Sequence, residues 1–336
     1  MRKEALLYET EDNQRVRCNL CAHRCLIAEG RMGICKVREN IEGELQTLVY
    51  GRTISQNIDP IEKKPLYHFL PGSRSFSIAT PGCNFHCQWC QNWDIVEQPV
   101  TGYQNWGQEA APEDLVAAAV KSGSESIAYT YTEPTIFFEY AYDTARLAHQ
   151  RGLRNVFVTN GYMTAEMLET MDPYLDGANV DLKAFREDTY REYVGAQLEP
   201  ILENLKVIKE LGIWLEVTTL IIPDLNDDHE ELRDAARFIA QELGPETPWH
   251  LSRFFPHREM RDHPPTPMWT LQEAEEIGRD EGLQHIFLGN TGDQANTFCA
   301  ECGRMLINRR GFWVLEDNLR EGRCPDCGAE AAGVWS

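Results

Sequence analysis

The chain has 336 residues, 42% of them hydrophobic, enough to bury a large core as one barrel-sized domain with appendages or as two conventional domains. Its formal charge of -21, from 53 acidic and 32 basic residues, repels phosphate backbones, so no nucleic-acid partner is expected; the short basic runs 62–64 (EKK) and 308–310 (NRR) read as solvated faces. No apolar run approaches the roughly 18 residues of a membrane span, and MRKEALLYETEDNQR lacks the apolar core of a signal peptide, so a cytoplasmic protein with no membrane partner is expected.

Residues 1–75 hold four cysteines and turn signals such as LPGS, with too few apolar residues for a substantial core of their own. From 76 to 290 the pattern alternates. Short β-branched or aromatic runs at 76–80, 126–131, 155–160, 178–183, 214–222, 249–255 and 285–290 read as strands. Amphipathic stretches between them predict helices, the first opened by Pro112, Glu113 and Asp114 and closed by Gly123, the others near 135–150, 164–171, 200–211, 228–243 and 270–281. Strict alternation implies a parallel sheet with helices outside, and seven strands fall short of a closed eight. No G-x-G-x-x-G follows the first strand, which argues against a dinucleotide-binding sheet. The expectation is an α/β chain: an incomplete (β/α)6-type TIM barrel at 76–296, flanked by a Cys-rich module at 1–75 and a zinc-ribbon-like module at 297–336.

Eleven cysteines in a reducing compartment argue for metal or redox chemistry. They divide without remainder into Cys18, Cys21, Cys25 and Cys35; Cys83, Cys87 and Cys90; and Cys299, Cys302, Cys324 and Cys327. The last group is two C-x2-C knuckles, each followed by glycine, around a predicted hairpin MLINRRGFWVL; zinc is the expected occupant. The first group also offers four thiolates, to zinc, which is preferred, or to a second iron-sulfur cluster; nearby His23 reads as an exposed loop residue. The central group is one ligand short. Three thiolates can hold three corners of a cubane cluster and leave the fourth iron open to a ligand that is not protein.

The segment TPGCNFHCQWCQNW (80–93) resembles the C-x3-C-x-aromatic-C signature of radical S-adenosylmethionine enzymes. The resemblance implies a 4Fe-4S cluster on the catalytic Cys83, Cys87 and Cys90, with S-adenosyl-L-methionine chelating the open iron and Trp89 near its adenine. It further implies reductive cleavage to a 5′-deoxyadenosyl radical that takes a hydrogen atom from substrate, and a one-electron donor such as ferredoxin or flavodoxin. YTEPT (131–135) stands where the family has a Gly-Gly-Glu turn, placing Glu133 at the methionyl ammonium. VTNG (158–161) and DLK (181–183) are similar to motifs of the pyruvate formate-lyase activating enzyme group, placing Thr159, Asn160, Asp181 and Lys183 at the cofactor, with a monovalent cation beside Asp181. LIIPDLND (220–227) resembles that group's I-P-G-x-N-D loop, with Asp224 in the glycine's place.

Over nearly the whole chain, DPIEKKPLYHF (59–69), GCNFHCQWCQNW (82–93), HLSRFFP (250–256) and GNT (289–291) resemble the AmmeMemoRadiSam branch of radical SAM proteins, which implies AMMECR-type and Memo-type partners. A substrate that is a small molecule or a protein is expected. The alternatives are an activating enzyme for a glycyl radical enzyme and, from another class, an iron-sulfur electron carrier or zinc-ribbon adaptor. His68, His250 and His257 read as core or hydrogen-bonded histidines, His250 being the first to test, and QNWDI and GYQNWG as a rim over substrate or a cover over the cluster.

Overall fold

A computed structural model describes residues 2–101, 106–292 and 295–336. Seven parallel strands follow chain order side by side: Arg74–Ala79, Ser126–Tyr129, Arg154–Thr159, Gly177–Asp181, Trp214–Ile221, Trp249–Arg253 and Ile286–Gly289. The sheet does not close. An antiparallel strand, Ser55–Pro60, pairs with Arg74–Ala79 at one edge, and Ile286–Gly289 is the other edge. This is the expected partial barrel, one parallel strand longer than the six of a (β/α)6 unit.

The local chemistry explains the layers. All four residues of Ser126–Tyr129 are buried, as are Asn155, Val156 and Phe157 of the next strand, because helices outside and side chains inside cover both faces. Helix Pro112–Lys121 starts on proline, uses Asp114 to accept from the Ala111 N–H at 3.0 Å, and buries Leu115, Val116 and Ala119 against the sheet. Helix Phe138–Gln150 does the same with Ala141, Thr144, Ala145 and Ala148.

The N-terminal residues form two small three-stranded sheets, yet their Ala5, Val16, Leu20, Ile27, Val37 and Leu45 belong to one hydrophobic cluster with the barrel. The strands Thr297–Phe298, Met305–Arg310 and Trp313–Asp317 make the C-terminal antiparallel sheet, with the expected hairpin between the last two. The basic runs are solvated faces only in part: Lys63 and Arg310 are exposed, but their neighbours in the runs are not. Glu62, Lys64 and Arg309 are at most 1% exposed, because Asp59 pairs with Lys64 and Glu62 with Arg309 and the charges go inside together.

Candidate functional site

The loop after the first parallel strand carries Cys83, Cys87 and Cys90 onto one open cleft at the C-terminal end of the sheet, where a β/α fold presents its loops. Its backbone is held from two sides. Val194 and Tyr193 carbonyls accept from the His86 and Gln88 N–H groups at 2.9 and 3.1 Å, and Arg258 Nη1 donates to the Cys87 carbonyl at 2.8 Å. Burial pushes all three thiols up, Cys87 to about 11 against the opposing pull of Lys183, so ligation there must displace protons.

Around the thiols stand the ends of the next three strands. Glu133, Thr159, Asn160, Asp181 and Lys183 all line the same cleft, although they lie on three separate loops of the sequence. Glu133 is the hub of two of them. Its Oε1 accepts from Thr135 N (3.0 Å), Thr135 Oγ1 (2.6 Å) and Thr159 Oγ1 (2.7 Å), and its Oε2 from Asn160 N (2.8 Å). The carboxylate therefore fastens the second strand's loop to the third's, and this internal work occupies most of its accepting capacity. Asn160 Nδ2 in turn donates to Asn84 Oδ1 at 2.7 Å, which anchors the cysteine loop to the same hub. Lys183 Nζ lies 2.6 Å from Asp181 Oδ2, and Asn226 Nδ2 donates to the Lys183 carbonyl at 2.8 Å.

Two substitutions in the expected motifs keep the backbone shape of glycine. Tyr131 takes a left-handed φ of 64°, and Asp224 one of 61°. Strain of this kind persists where surrounding contacts over-determine it; Tyr131 is held by Asn92 Nδ2 on its carbonyl at 2.7 Å and by its own hydroxyl on Asp59.

Trp89 lies apart from the other expected site residues. It is 3% exposed, packed in the main core, and off the wall of this cleft, where Phe85 stands instead. His23 is half-buried rather than an exposed loop residue: its Nε2 lies 2.8 Å from the Asn84 carbonyl oxygen, and its ring packs edge-on against Tyr162. His68 is a core residue, bonded to the Ala332 carbonyl and Thr297 Oγ1. The ring Nε2 of His257 is buried without a partner. Of the tryptophan-bearing stretches, Gln91 and Asn92 line the cleft, whereas residues 102–105 of GYQNWG lie outside the described residues.

Sequence reasoning missed Asp59, Lys63, Lys64 and Tyr131. Asp59 accepts from Lys63 Nζ at 2.8 Å and Lys64 Nζ at 2.7 Å. Burial alone would raise its carboxyl, but these bonds and the Tyr131 hydroxyl outweigh it and hold the group below the usual range. Burial pulls Lys64 down to about 8 despite Asp59. The readable signal was the apolar company of the charges in DPIEKKPLYHF. Glu216 was also missed, though a lone carboxylate inside the apolar strand Trp214–Ile221 needs partners. It accepts from Tyr67 N, His68 N, Trp214 Nε1 and His250 Nε2, the last at 2.6 Å.

His250 opens onto a second cleft beside the first, lined also by Tyr67, Thr218, Ser252, Asn290 and Phe312 and holding about 1510 Å³ of non-atom space, including the part open to solvent. Lys63 and Gln91 line both clefts, so the two are neighbours.

The third cysteine group is built differently. The sulfurs of Cys299, Cys302, Cys324 and Cys327 all lie within 4.8 Å of one another, Cys299 to Cys327 at 3.7 Å and Cys302 to Cys324 at 3.6 Å. A tetrahedral ion with bonds near 2.3 Å sets sulfurs roughly 3.8 Å apart, so these four fit one ion such as zinc.

A parallel partial barrel with three cysteines after its first strand defines a class, and the comparisons agree. Residues 77–239 match the model of the Radical SAM superfamily. The chain belongs to that superfamily. It is 43% identical over 330 residues to an uncharacterised protein of Methanocaldococcus jannaschii, covering 97% of this chain and 98% of the relative. It is 24% identical over 176 residues to the pyruvate formate-lyase-activating enzyme of Clostridium pasteurianum, covering 50% of this chain and 70% of that one. Among solved structures, Streptococcus suis SuiB shares the fold at 13% identity and a TM-score of 0.50, over 68% of this chain and 52% of SuiB. Superfamily membership brings a 4Fe-4S cluster and S-adenosylmethionine with it, and the donor set of the central cleft fits both. No helix among the described residues is long and apolar enough to cross a membrane.

Proposed function

We propose that Cys83, Cys87 and Cys90 hold a 4Fe-4S cluster with one open iron, that S-adenosylmethionine occupies the cleft beside them, and that the second cleft receives the substrate. The carrying observation is the arrangement of thiols: three of them, with no fourth among the described lining residues, face a cleft open enough for a cofactor. The bound cluster and cofactor supply a 5′-deoxyadenosyl radical able to take a hydrogen atom from an unreactive C–H bond.

The protein's part is position and exclusion of water. Thr159 and Asn160, locked by Glu133, form a rigid edge for the cofactor's ribose side, while Asp181 and Lys183 offer a charge pair to its amino and carboxylate end. A monovalent cation beside Asp181 is part of the same reading. Through Lys63 and Gln91 this space continues into the His250 cleft. His250 Nε2 is committed to Glu216, so its Nδ1 is the ring nitrogen left for a substrate, fixed in direction by a buried carboxylate.

A small molecule or a side chain of a partner protein is the substrate class this cleft favours, and AMMECR-type and Memo-type proteins are the proposed partners by family resemblance. The likeness to a pyruvate formate-lyase-activating enzyme supports a second reading, activation of a glycyl radical enzyme, but that likeness covers only half of the chain. Anaerobic reconstitution followed by dithionite and S-adenosylmethionine tests the proposal. Wild type should release 5′-deoxyadenosine and a Cys83→Ala, Cys87→Ala, Cys90→Ala variant should not; equal release from both would overturn it.

A further inference from the structure

The N-terminal cysteines surround a cage. Cys18, Cys21, Cys25 and Cys35 line one small cavity, whose wall is completed by the apolar Leu20, Ile27, Ile34 and Ile136 and by His23, Gly33, Arg38 and Asn84. These four do not gather as the C-terminal four do; among the described residues, the C-terminal group is the one whose ligand atoms all lie within 4.8 Å of one another. A single tetrahedral ion draws four sulfurs into contact, whereas a cubane keeps four irons between them and spreads the sulfurs to roughly 6 Å. Sulfurs set around a cavity rather than against one another match the second case.

Two buried donors point the same way. Arg38 Nε and Asn84 Nδ2 have no hydrogen-bond partner, although Arg38 is 2% exposed and Asn84 fully buried, and both residues line this cavity. An orphaned buried donor is destabilising, a charged one more so, unless something in the cavity accepts from it. An anionic iron-sulfur core has sulfides that accept.

We infer that Cys18, Cys21, Cys25 and Cys35 hold a second 4Fe-4S cluster, fully ligated by protein, in place of the zinc that the spacing alone favoured. Its cage shares a wall with the central site. Asn84 lines the N-terminal cavity and follows Cys83 in the chain, its carbonyl oxygen lies 2.8 Å from His23 Nε2, and Gly82 is packed so tightly on Cys35 and Val37 that a Cβ would fall 2.9 Å from the Cys35 carbonyl oxygen. An electron from a low-potential donor of ferredoxin or flavodoxin type can thus reach the central site through the protein-ligated cluster. The relay rests on the function proposed above; the cluster does not.

The test is metal, sulfide and spectroscopic analysis of full-length protein purified anaerobically without reconstitution. The Cys83→Ala, Cys87→Ala, Cys90→Ala variant should retain about four iron and four sulfide per chain, and its reduced paramagnetic signal should not change on adding S-adenosylmethionine. Two zinc ions per chain and no iron in that variant would sink the inference while leaving the central-site chemistry untouched. Should the variant fail to fold, reduced wild type decides: two cluster signals, one insensitive to S-adenosylmethionine, support a second cluster, and a single signal with four iron per chain refutes it.

Discussion

The Arg309 guanidinium lies 3.5 Å from the Glu62 carboxylate, both side chains fully buried and 247 positions apart in the chain. The pair fastens the C-terminal sheet beneath the segment that lines both clefts, with Arg309 also donating to the Tyr67 carbonyl and to Thr297 Oγ1. Removing one partner strands the other. Arg309→Met should cost about 3–5 kcal/mol, read as a lower midpoint in chemical denaturation, whereas Arg2→Met, at the exposed pair with Glu39, should cost under about 1 kcal/mol. Equal midpoints for the two variants would contradict the assignment.

Glu133→Gln replaces an oxygen that accepts hydrogen bonds with an amide group that donates, in a place where every neighbour already donates. The turn carrying Thr159 and Asn160 should loosen, weakening S-adenosylmethionine binding by about 10–100-fold while cluster iron is retained. Equilibrium binding of the cofactor to reconstituted protein measures this. Unchanged affinity would mean that the turn positions nothing.

His250→Phe separates the two clefts. Because His250 lines the second cleft and not the one with the cysteines, 5′-deoxyadenosine release without substrate should stay within about twofold of wild type. A collapse of that background reaction would place His250 in the cofactor's own site.

Acid should weaken the fold through two adjacent imidazoles. Burial pulls His285 down to about 4, and His68, ring to ring at 4.5 Å, is held well below its usual range by burial and by His285. An unfolded histidine titrates near 6.5, so between about 4 and 6.5 the unfolded chain binds protons that the folded chain refuses. Stability is therefore fully present above about 6.5 and falls as pH drops toward 4, by on the order of 3 kcal/mol for His285 alone. His285→Gln should flatten the pH dependence of the denaturation midpoint in that window; an unaltered slope would assign it elsewhere.

Cys327→Ser should remove about one zinc per chain and loosen the C-terminal sheet, without loss of iron from the rest of the protein. Metal analysis beside wild type checks it, and an equal zinc content would show that this group is not the zinc site.

Much of the site was legible before any coordinates. Cys83, Cys87 and Cys90 announce an open ligand position by their number and spacing, and Glu133, Thr159, Asn160, Asp181 and Lys183 do arrive at one cleft, because successive strands of a parallel sheet deliver their C-terminal ends to the same side. The burial of Trp89 in the main core was not legible, because the sequence pattern cannot tell which face of a loop turns inward. Glu62, Lys64 and Arg309 were misread for a different reason: a charge is buried only when its partner is, and those partnerships form in space.

The chain's sequence by itself determined the order of strands and helices, the parallel partial barrel and the three sets of thiols, since periodicity and ligand spacing are local and need no distant partner. Only the tertiary structure decided how far apart each set of sulfurs stands, which carboxylates are already spent on internal hydrogen bonds, and that Asn84 separates one cysteine cage from the other. Those outcomes depend on contacts such as His23 with Asn84 and Gly82 with Cys35, which packing alone brings together.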